Sequence, residues 1–379
     1  MKKKAVAVMM SIALSAAMLV GCGANGSAEA AGDVTNVEES DQSGDVAEAE
    51  EQEVSEDAQQ EEAEADNEEL QNAAEAADDY EAVDMKIGSL KGPTSMGLVY
   101  LMDRADKGEA ANNYEFTMAA AADELLPSMI SGDLDIVLVP ANVASVLYNK
   151  TEGGVSVIDI NTLGVLYMVS GDNTIGTMSD LQGRTIYLTG KGTTPDYVLQ
   201  YLLKENGLTT ADVTLEYKSE ATEVAAVLTQ MPEAIGVLPQ PFVTAACAQN
   251  ENLAVVLDLT KEWAAVQGEG GSSLVTGVTV VRNAFLEEHK EAVDKFLEEH
   301  SDSTDYANEH VEEAAELVAA AGIIEKAPVA VKAMPQCNIT YIDGKDMQTA
   351  LSGYLEVLFE QDASSVGGSL PNDDFYYIR

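Results

Sequence analysis

From Asp84 onward the sequence predicts an α/β fold of two lobes, preceded by a disordered acidic segment. Three observations carry this reading. Short apolar runs suited to strands alternate with longer runs of helical periodicity, the pattern of an α/β sandwich. Several of those runs end in a Gly- or Pro-containing turn that opens a helix. About 300 residues follow Asp84, enough for two core-bearing lobes. The stretch Thr189–Tyr197 shows the junction most clearly. It follows the strand-like Thr185-Ile186-Tyr187-Leu188 and precedes the amphipathic run Tyr197 to Leu203. Gly190 and Gly192 permit a sharp turn with positive φ. Thr194 suits the N-cap, Pro195 the first helical position and Asp196 the first turn. Free N–H groups at such a start attract an anionic or polar ligand, and Lys191 adds positive charge. An ordinary strand-to-helix turn carries the same signature, so the rest of the chain must decide.

The chain begins with three lysines, an apolar run from Ala5 to Val20, and Leu19-Val20-Gly21-Cys22. A basic start, a short apolar core and small residues make a secretory signal peptide, too short and alanine-rich for a permanent span. The ending resembles the bacterial lipobox, which implies cleavage before Cys22 and acylation of its sulfur, and so a stable anchor. Residues 1–21 are the expected signal and residues 22–83 the lipidated cysteine and linker. Gly23 to Val83 holds 22 Asp and Glu, no Lys or Arg, and one aromatic residue, Tyr80. Such a composition buries too little apolar surface to offset ordering entropy, and its like charges extend it as a tether.

The elements then follow in order. Met85–Gly88 reads as a strand, Lys91–Ser95 as a Gly-Pro loop, and Met96–Ala105 as a helix with Leu98, Leu101 and Met102 on one side. Tyr114–Met118 alternates like a strand. Asp123–Ser131 reads as a helix with Pro127 in its first turn, where proline is tolerated. Leu134–Pro140 is a buried strand before a helix opening at Ala141-Asn142. Val155–Ile160 and Gly164–Val169 are strands. After the Thr189–Tyr197 junction come a strand at Val213–Tyr217, a helix at Glu220–Gln230, a strand at Ala234–Leu238, the turn Pro239-Gln240-Pro241 and a helix to Gln249. Leu253–Leu257 and Thr276–Val281 are strands around the loop Gly268–Ser273. Helices at Lys290–Glu299, Tyr306–Ala320 and Asp346–Phe359 fill much of the remainder. The Leu134–Asn142 and Ala234–Pro241 segments echo one another: each is a small apolar strand ending in proline and an amide residue at a helix start. Ligands of open α/β sheets gather beyond such strand ends.

Composition excludes several functions. From Asp84 onward there are 44 acidic and 17 basic residues, a net charge of −27, which argues against nucleic acid and anionic lipid as partners. Cys247 and Cys337 do not make a disulfide framework; isolated thiols are the default, and a bridge cannot be judged from spacing. His289, His300 and His310 lie in Glu-rich helical sequence without metal-ligand spacing and read as solvated or packing residues. No nucleophile-elbow, Walker or zinc-protease motif is present.

Four segments, Ile87–Ser95, Gly132–Ile136, Leu181–Ile186 and Val281–His289, together with the lipobox, resemble substrate-binding lipoproteins of ABC importers, of the sulfonate, nitrate, taurine and thiamine-pyrimidine type. The resemblance runs over essentially all of Asp84 to Arg379. It implies a two-lobed type II periplasmic-binding-protein fold with two crossover strands, near Gly164–Ser170 and Thr276–Arg282. Lobe I is then 84–170 plus 278–379, and lobe II is 171–277. It implies a monomer, exported and lipid-anchored at the outer face of a bacterial membrane. Such a protein uses no cofactor or metal, captures a small solute by hinge closure and delivers it to an ABC permease. The positions matching the family's cleft are Thr94, Ser95, Asn142, Gly192, Thr193, Thr194, Gln240 and Thr276, with roles in hydrogen bonding. Trp263 with Tyr197, Tyr167 or Phe242 is a candidate aromatic wall, plain packing being the alternative. The loops hold no arginine, which argues against a dicarboxylate and leaves a sulfonate-like or pyrimidine-like solute. An enzyme on the same fold and a surface sensor or adhesion lipoprotein are the alternatives; the related synthases use a cleft histidine, whereas every histidine here follows Val281.

Overall fold

A computed structural model describes residues 80–268 and 270–379. The signal segment, Cys22 and the linker through residue 79 lie outside them. Eleven strands occur in chain order: β1 (Asp84–Leu90), β2 (Asn113–Ala119), β3 (Ile136–Pro140), β4 (Val155–Leu163), β5 (Leu166–Ser170), β6 (Thr185–Thr189), β7 (Thr214–Lys218), β8 (Ile235–Pro239), β9 (Ala254–Asp258), β10 (Val275–Arg282) and β11 (Ile339–Ile342). They form a six-stranded sheet in the order β11-β4-β10-β3-β1-β2 and a five-stranded sheet in the order β7-β6-β8-β5-β9. β1 runs parallel to β2 and β3, while β10 enters antiparallel between β3 and β4. In the second sheet β6 is parallel to β7 and β8, and β5 is antiparallel to β8 and β9. The central strands β3 and β8 are buried along their length up to the terminal proline, as continuous apolar runs covered on both faces should be.

The chain leaves the six-stranded sheet between β4 and β5 and returns between the Leu259–Gln267 helix and β10. β5 lies wholly in one sheet and β10 wholly in the other, so each transit occupies the short segment before the strand rather than the strand itself. Gly164, at the first transit, lies directly against Thr260 and Leu274 at the second. One cluster of buried side chains runs through both sheets: Val137, Val139, Val278 and Val280 from the first, Met168, Ile186 and Leu188 from the second. The Gly344–Gln361 helix adds Leu351, Tyr354 and Leu355 to it, packing on β4, β10 and the Thr194–Glu205 helix. No helix among the described residues is long and apolar enough to cross a membrane.

Several expectations need correcting. Pro127 is the sixth residue of the helix Ala122–Ser131, beyond its first turn. The helix tolerates it because Leu125 and Met129 bury one face, which offsets the lost backbone bond. The helix begun at Lys290 continues to Glu309 and breaks at His310, where a second one starts at Val311. The segment Met96–Ala105 is two helices, Pro93–Met96 and Val99–Lys107. Tyr80 and Val83 belong to the packed structure and not to the linker. Both bond to the Asn112 side-chain carbonyl, Tyr80 through its hydroxyl and Val83 through its N–H, and both pack on the Met85–Ile87 core.

Candidate ligand-binding site

Parallel strands end together, so the loops after β1 and β3 share one edge of the first sheet and those after β6 and β8 one edge of the second. β10 starts at the same edge as the end of β3, because Gly277 pairs with Pro140. This geometry collects the sequence-predicted residues into two groups. Thr94, Asn142 and Thr276 stand at the edge of the six-stranded sheet, and Gly192, Thr193, Thr194 and Gln240 at that of the five-stranded one. Thr94 packs against Gly277, beside Asn161. Among the described residues no hydrogen bond or ion pair joins the Lys91–Ser95 loop to the Gly190–Thr194 loop.

Many of these groups already have partners. Ser95 is fully buried, its hydroxyl bonded to Ser89 and the Leu90 carbonyl. Thr94 donates weakly to that same carbonyl at 3.4 Å. Asn142 donates to the Ser365 carbonyl at 3.4 Å. Gln240 caps its own helix, its Oε1 accepting from the Thr244 hydroxyl at 2.8 Å and N–H at 3.3 Å, while its Nε2 donates to Gln336 at 3.0 Å. Thr193 donates to the Gly190 carbonyl at 2.6 Å. Thr194 faces the buried Tyr354 phenol. Gly190 and Gly192 take φ of 70° and 71°, the left-handed turn their lack of a β-carbon permits. Asp196 does more than decorate a first turn. Its carboxylate, 3% exposed, accepts the Gly192 N–H at 2.8 Å, Gln200 Nε2 at 2.6 Å and the Tyr217 hydroxyl at 2.8 Å. Lys191 turns its ammonium over the Tyr217 ring, 5.4 Å from its centre.

The aromatic candidates are structural. Trp263 is completely buried between Tyr201 and Tyr354, and its Nε1 donates to the Ser272 carbonyl at 3.0 Å. Tyr167 donates to the Gln336 carbonyl at 2.7 Å. Tyr197 donates to Asp362 at 2.9 Å; burial and that carboxylate push its pKa up to about 12. The Ser364 donors and Tyr197 hold Asp362 below its ordinary value. Burial raises both thiols, Cys337 to about 12, and each is free. A reactive thiol needs the opposite shift.

Sequence reasoning missed a buried polar network beneath the first group. His300, completely buried, is hydrogen-bonded to Asp159, with Nδ1 and Oδ2 3.2 Å apart. Asp159 also accepts from Thr279 at 2.8 Å, Thr279 accepts from Asn161 at 3.1 Å, and Asn161 accepts from Thr162 at 2.9 Å. His300 Nε2 and Thr304 Oγ1, both beside Gly97, have no partner. His300 is therefore neither solvated nor remote from the Thr94 loop: Gly97 closes the short helix that carries Thr94. The available signal was Asp159, Asn161 and Thr162 within an otherwise apolar strand, since an unpaired polar group is rarely buried.

A cavity of about 720 Å³, walled by Arg184, Tyr187, Pro232, Glu233 and Asn252, opens at the opposite edge of the five-stranded sheet, where β6 and β8 begin. None of the eight predicted residues lines it, and it belongs to a different end of the fold from the strand-end loops.

The family described as NMT1/THI5 like matches residues 153–314. A search of the curated proteins finds no match at the level required. Among solved structures, an ABC transporter protein from Parabacteroides distasonis is similar at 22% identity and a TM-score of 0.64, over 77% of this chain and 98% of its own. The periplasmic aliphatic sulphonate binding protein SsuA from Escherichia coli gives 16% and 0.61, over 78% and 96%. The alkanesulfonate-binding protein SsuA from Xanthomonas axonopodis pv. citri, bound to MOPS, gives 13% and 0.53, over 76% and 94%. These likenesses establish the fold, the two-lobed periplasmic-binding-protein fold.

Proposed function

We propose that the chain is an extracytoplasmic solute-binding lipoprotein, anchored through Cys22, that captures a small organic solute between its two sheets and delivers it to an ABC import permease. The observation that carries this reading is the shared fold over nearly the whole length of binding components of ABC importers, with both strand-end edges furnished with hydroxyl-bearing turns. Because β5 joins the five-stranded sheet and β10 the six-stranded one, the sequence-based bounds move: lobe I is 84–163 plus 275–379 and lobe II is 166–267, and the two transits between sheets act as the hinge. Besides the shared apolar cluster, in which Trp263 packs on Tyr354, polar contacts join the two lobes. They include Gln240–Gln336, Tyr167 to the Gln336 carbonyl, and Gln361 Nε2 to the Tyr197 carbonyl at 3.0 Å. Each of these hydrogen bonds contributes about 0.5–1.5 kcal/mol, a size that differential solute binding can offset. Binding without turnover accords with the raised thiols, which are poorly suited to nucleophilic chemistry; the chain is taken to act as a monomer. Sulfonate-like and pyrimidine-like compounds are the classes to try first, the former because two structural neighbours are named for sulfonates.

Thermal-shift screening of the full-length protein in mild detergent tests the reading. A true solute at a hundredfold excess over Kd stabilises by about 2.7 kcal/mol. A broad metabolite library that shifts nothing contradicts it.

A further inference from the structure

We infer that the captured solute carries no net negative charge, an inference that rests on the solute-binding reading and narrows it. Proteins hold sulfonates, nitrate or carboxylates with guanidinium or ammonium groups, or with free helix N-termini. Most of these groups are already engaged here.

All four arginines of the chain are paired with carboxylates: Arg104 with Glu299 at 3.5 Å, Arg184 with Asp172 at 2.9 Å, Arg282 with Asp135 at 2.8 Å and Arg379 with Asp343 at 2.5 Å. Arg184 stands just before β6 and Arg282 ends β10, so both lie at the sheet edges opposite the loops. Of the two lysines in the loops, Lys191 is directed over Tyr217. Lys91 is exposed, where a single ion pair contributes about 0–1 kcal/mol.

The helix starts are similarly committed. In the turn before the Thr194–Glu205 helix the Gly192 N–H is already taken by the buried carboxylate of Asp196. A second anion arriving there meets a like charge in a poorly solvated place, which disfavours it. At the Phe242–Gln249 helix Gln240 takes the Thr244 N–H and hydroxyl. The Ala141–Lys150 helix keeps an uncapped start, worth about 0.3–1 kcal/mol to an exposed anion. Against that stands the excess of 44 acidic over 17 basic residues from Asp84 onward, which repels anions on approach and draws cations. What remains at the two edges is suited to an uncharged or cationic polar molecule: the hydroxyls of Thr94, Thr193 and Thr276, the outer amide face of Asn142, and the negative field of Asp196.

The test is to release the full-length protein from its native membranes in mild detergent, weigh the intact complex by native mass spectrometry, and identify the small molecule freed on denaturation. Calorimetry then compares that compound with an isosteric analogue of net charge −1, alongside taurine, isethionate, nitrate, cytosine and choline. The expected result is a one-to-one solute that is neutral, zwitterionic or cationic at pH 7 and binds at least a hundredfold more tightly than its anionic analogue. A one-to-one anionic solute, or isethionate or nitrate binding better than the neutral compounds, overturns the charge inference while leaving solute capture standing. No bound molecule and no binding by any compound of the panel overturns both.

Discussion

Gly190 and Gly192 have the same left-handed backbone, yet substitution should cost different amounts. At Gly192 a β-carbon meets nothing closer than the Tyr197 hydroxyl at 3.9 Å, so Gly192→Ala carries only the conformational cost of an L-residue at φ of 71°, about 1–2 kcal/mol. At Gly190 the same methyl collides with Thr193 Oγ1. Thr193 must then rotate and give up its 2.6 Å bond to the Gly190 carbonyl. That adds about 0.5–1.5 kcal/mol. The assay is urea unfolding of both variants at unchanged m, read as midpoint shifts. Gly190→Ala should lie about 1 kcal/mol below Gly192→Ala. The clash has a second signature in a double-mutant cycle. With Thr193→Ala in place the methyl finds room, so Gly190→Ala/Thr193→Ala should lose less than the sum of the singles, by about 1 kcal/mol. Equal losses for the two glycines, together with strict additivity in the cycle, would refute the description of this turn.

Three further predictions concern the interior. Asp159→Ala leaves His300 and Thr279 without their shared acceptor and should cost about 3–5 kcal/mol, with Asp159→Asn losing clearly less; equal and small losses would show the network to be dispensable. Cys337, buried with its pKa raised to about 12, should resist a disulfide reagent at pH 8 until denaturant is added; reaction in the native protein at the rate of a free thiol contradicts its placement. Tyr197 binds its proton more tightly in the folded state, with a pKa near 12 against an ordinary value of 10. Its contribution is therefore complete below pH 10 and lost as the pH rises through 12. Stability should fall over that window and Tyr197→Phe should flatten the fall; a variant with an unchanged alkaline profile refutes the assignment.

Local chemistry made the strand–turn–helix junctions readable. Thr185–Leu188 followed by two glycines and Thr-Pro-Asp announces its own turn, and the run ending at Pro140 is too apolar to be anything but a covered strand. The C-terminal ends of β1, β3, β6 and β8 therefore located the candidate loops before any coordinates. Partnerships between distant residues were not readable. Asp159 and His300 are 141 positions apart, and nothing in the Glu-rich helix around His300 distinguishes it from the more exposed His289 and His310. The same holds for Gln240 with Gln336 and for Tyr197 with Asp362. Hydroxyls and amides that look available in sequence are already bonded in three dimensions, which is why Ser95 and Gln240 offer a ligand less than their loop positions promise. The acid at Asp196 was visible as a favourable first-turn residue; that its carboxylate takes the Gly192 N–H of the turn proposed to receive a ligand follows only from the folded structure. The Leu259–Gln267 helix and β11 passed unseen because one is marked by Trp263 alone and the other pairs with β4 at just two positions.

The central claim is that a small molecule is held between the two strand-end edges. The most direct measurement is a crystal structure of the protein purified from its native source without added ligand. The account predicts density for one small molecule touching at least one of Thr94, Asn142 and Thr276 and at least one of Thr193 and Thr194. Density confined to the cavity beside Arg184 and Tyr187, with nothing between those two sets of residues, would contradict it.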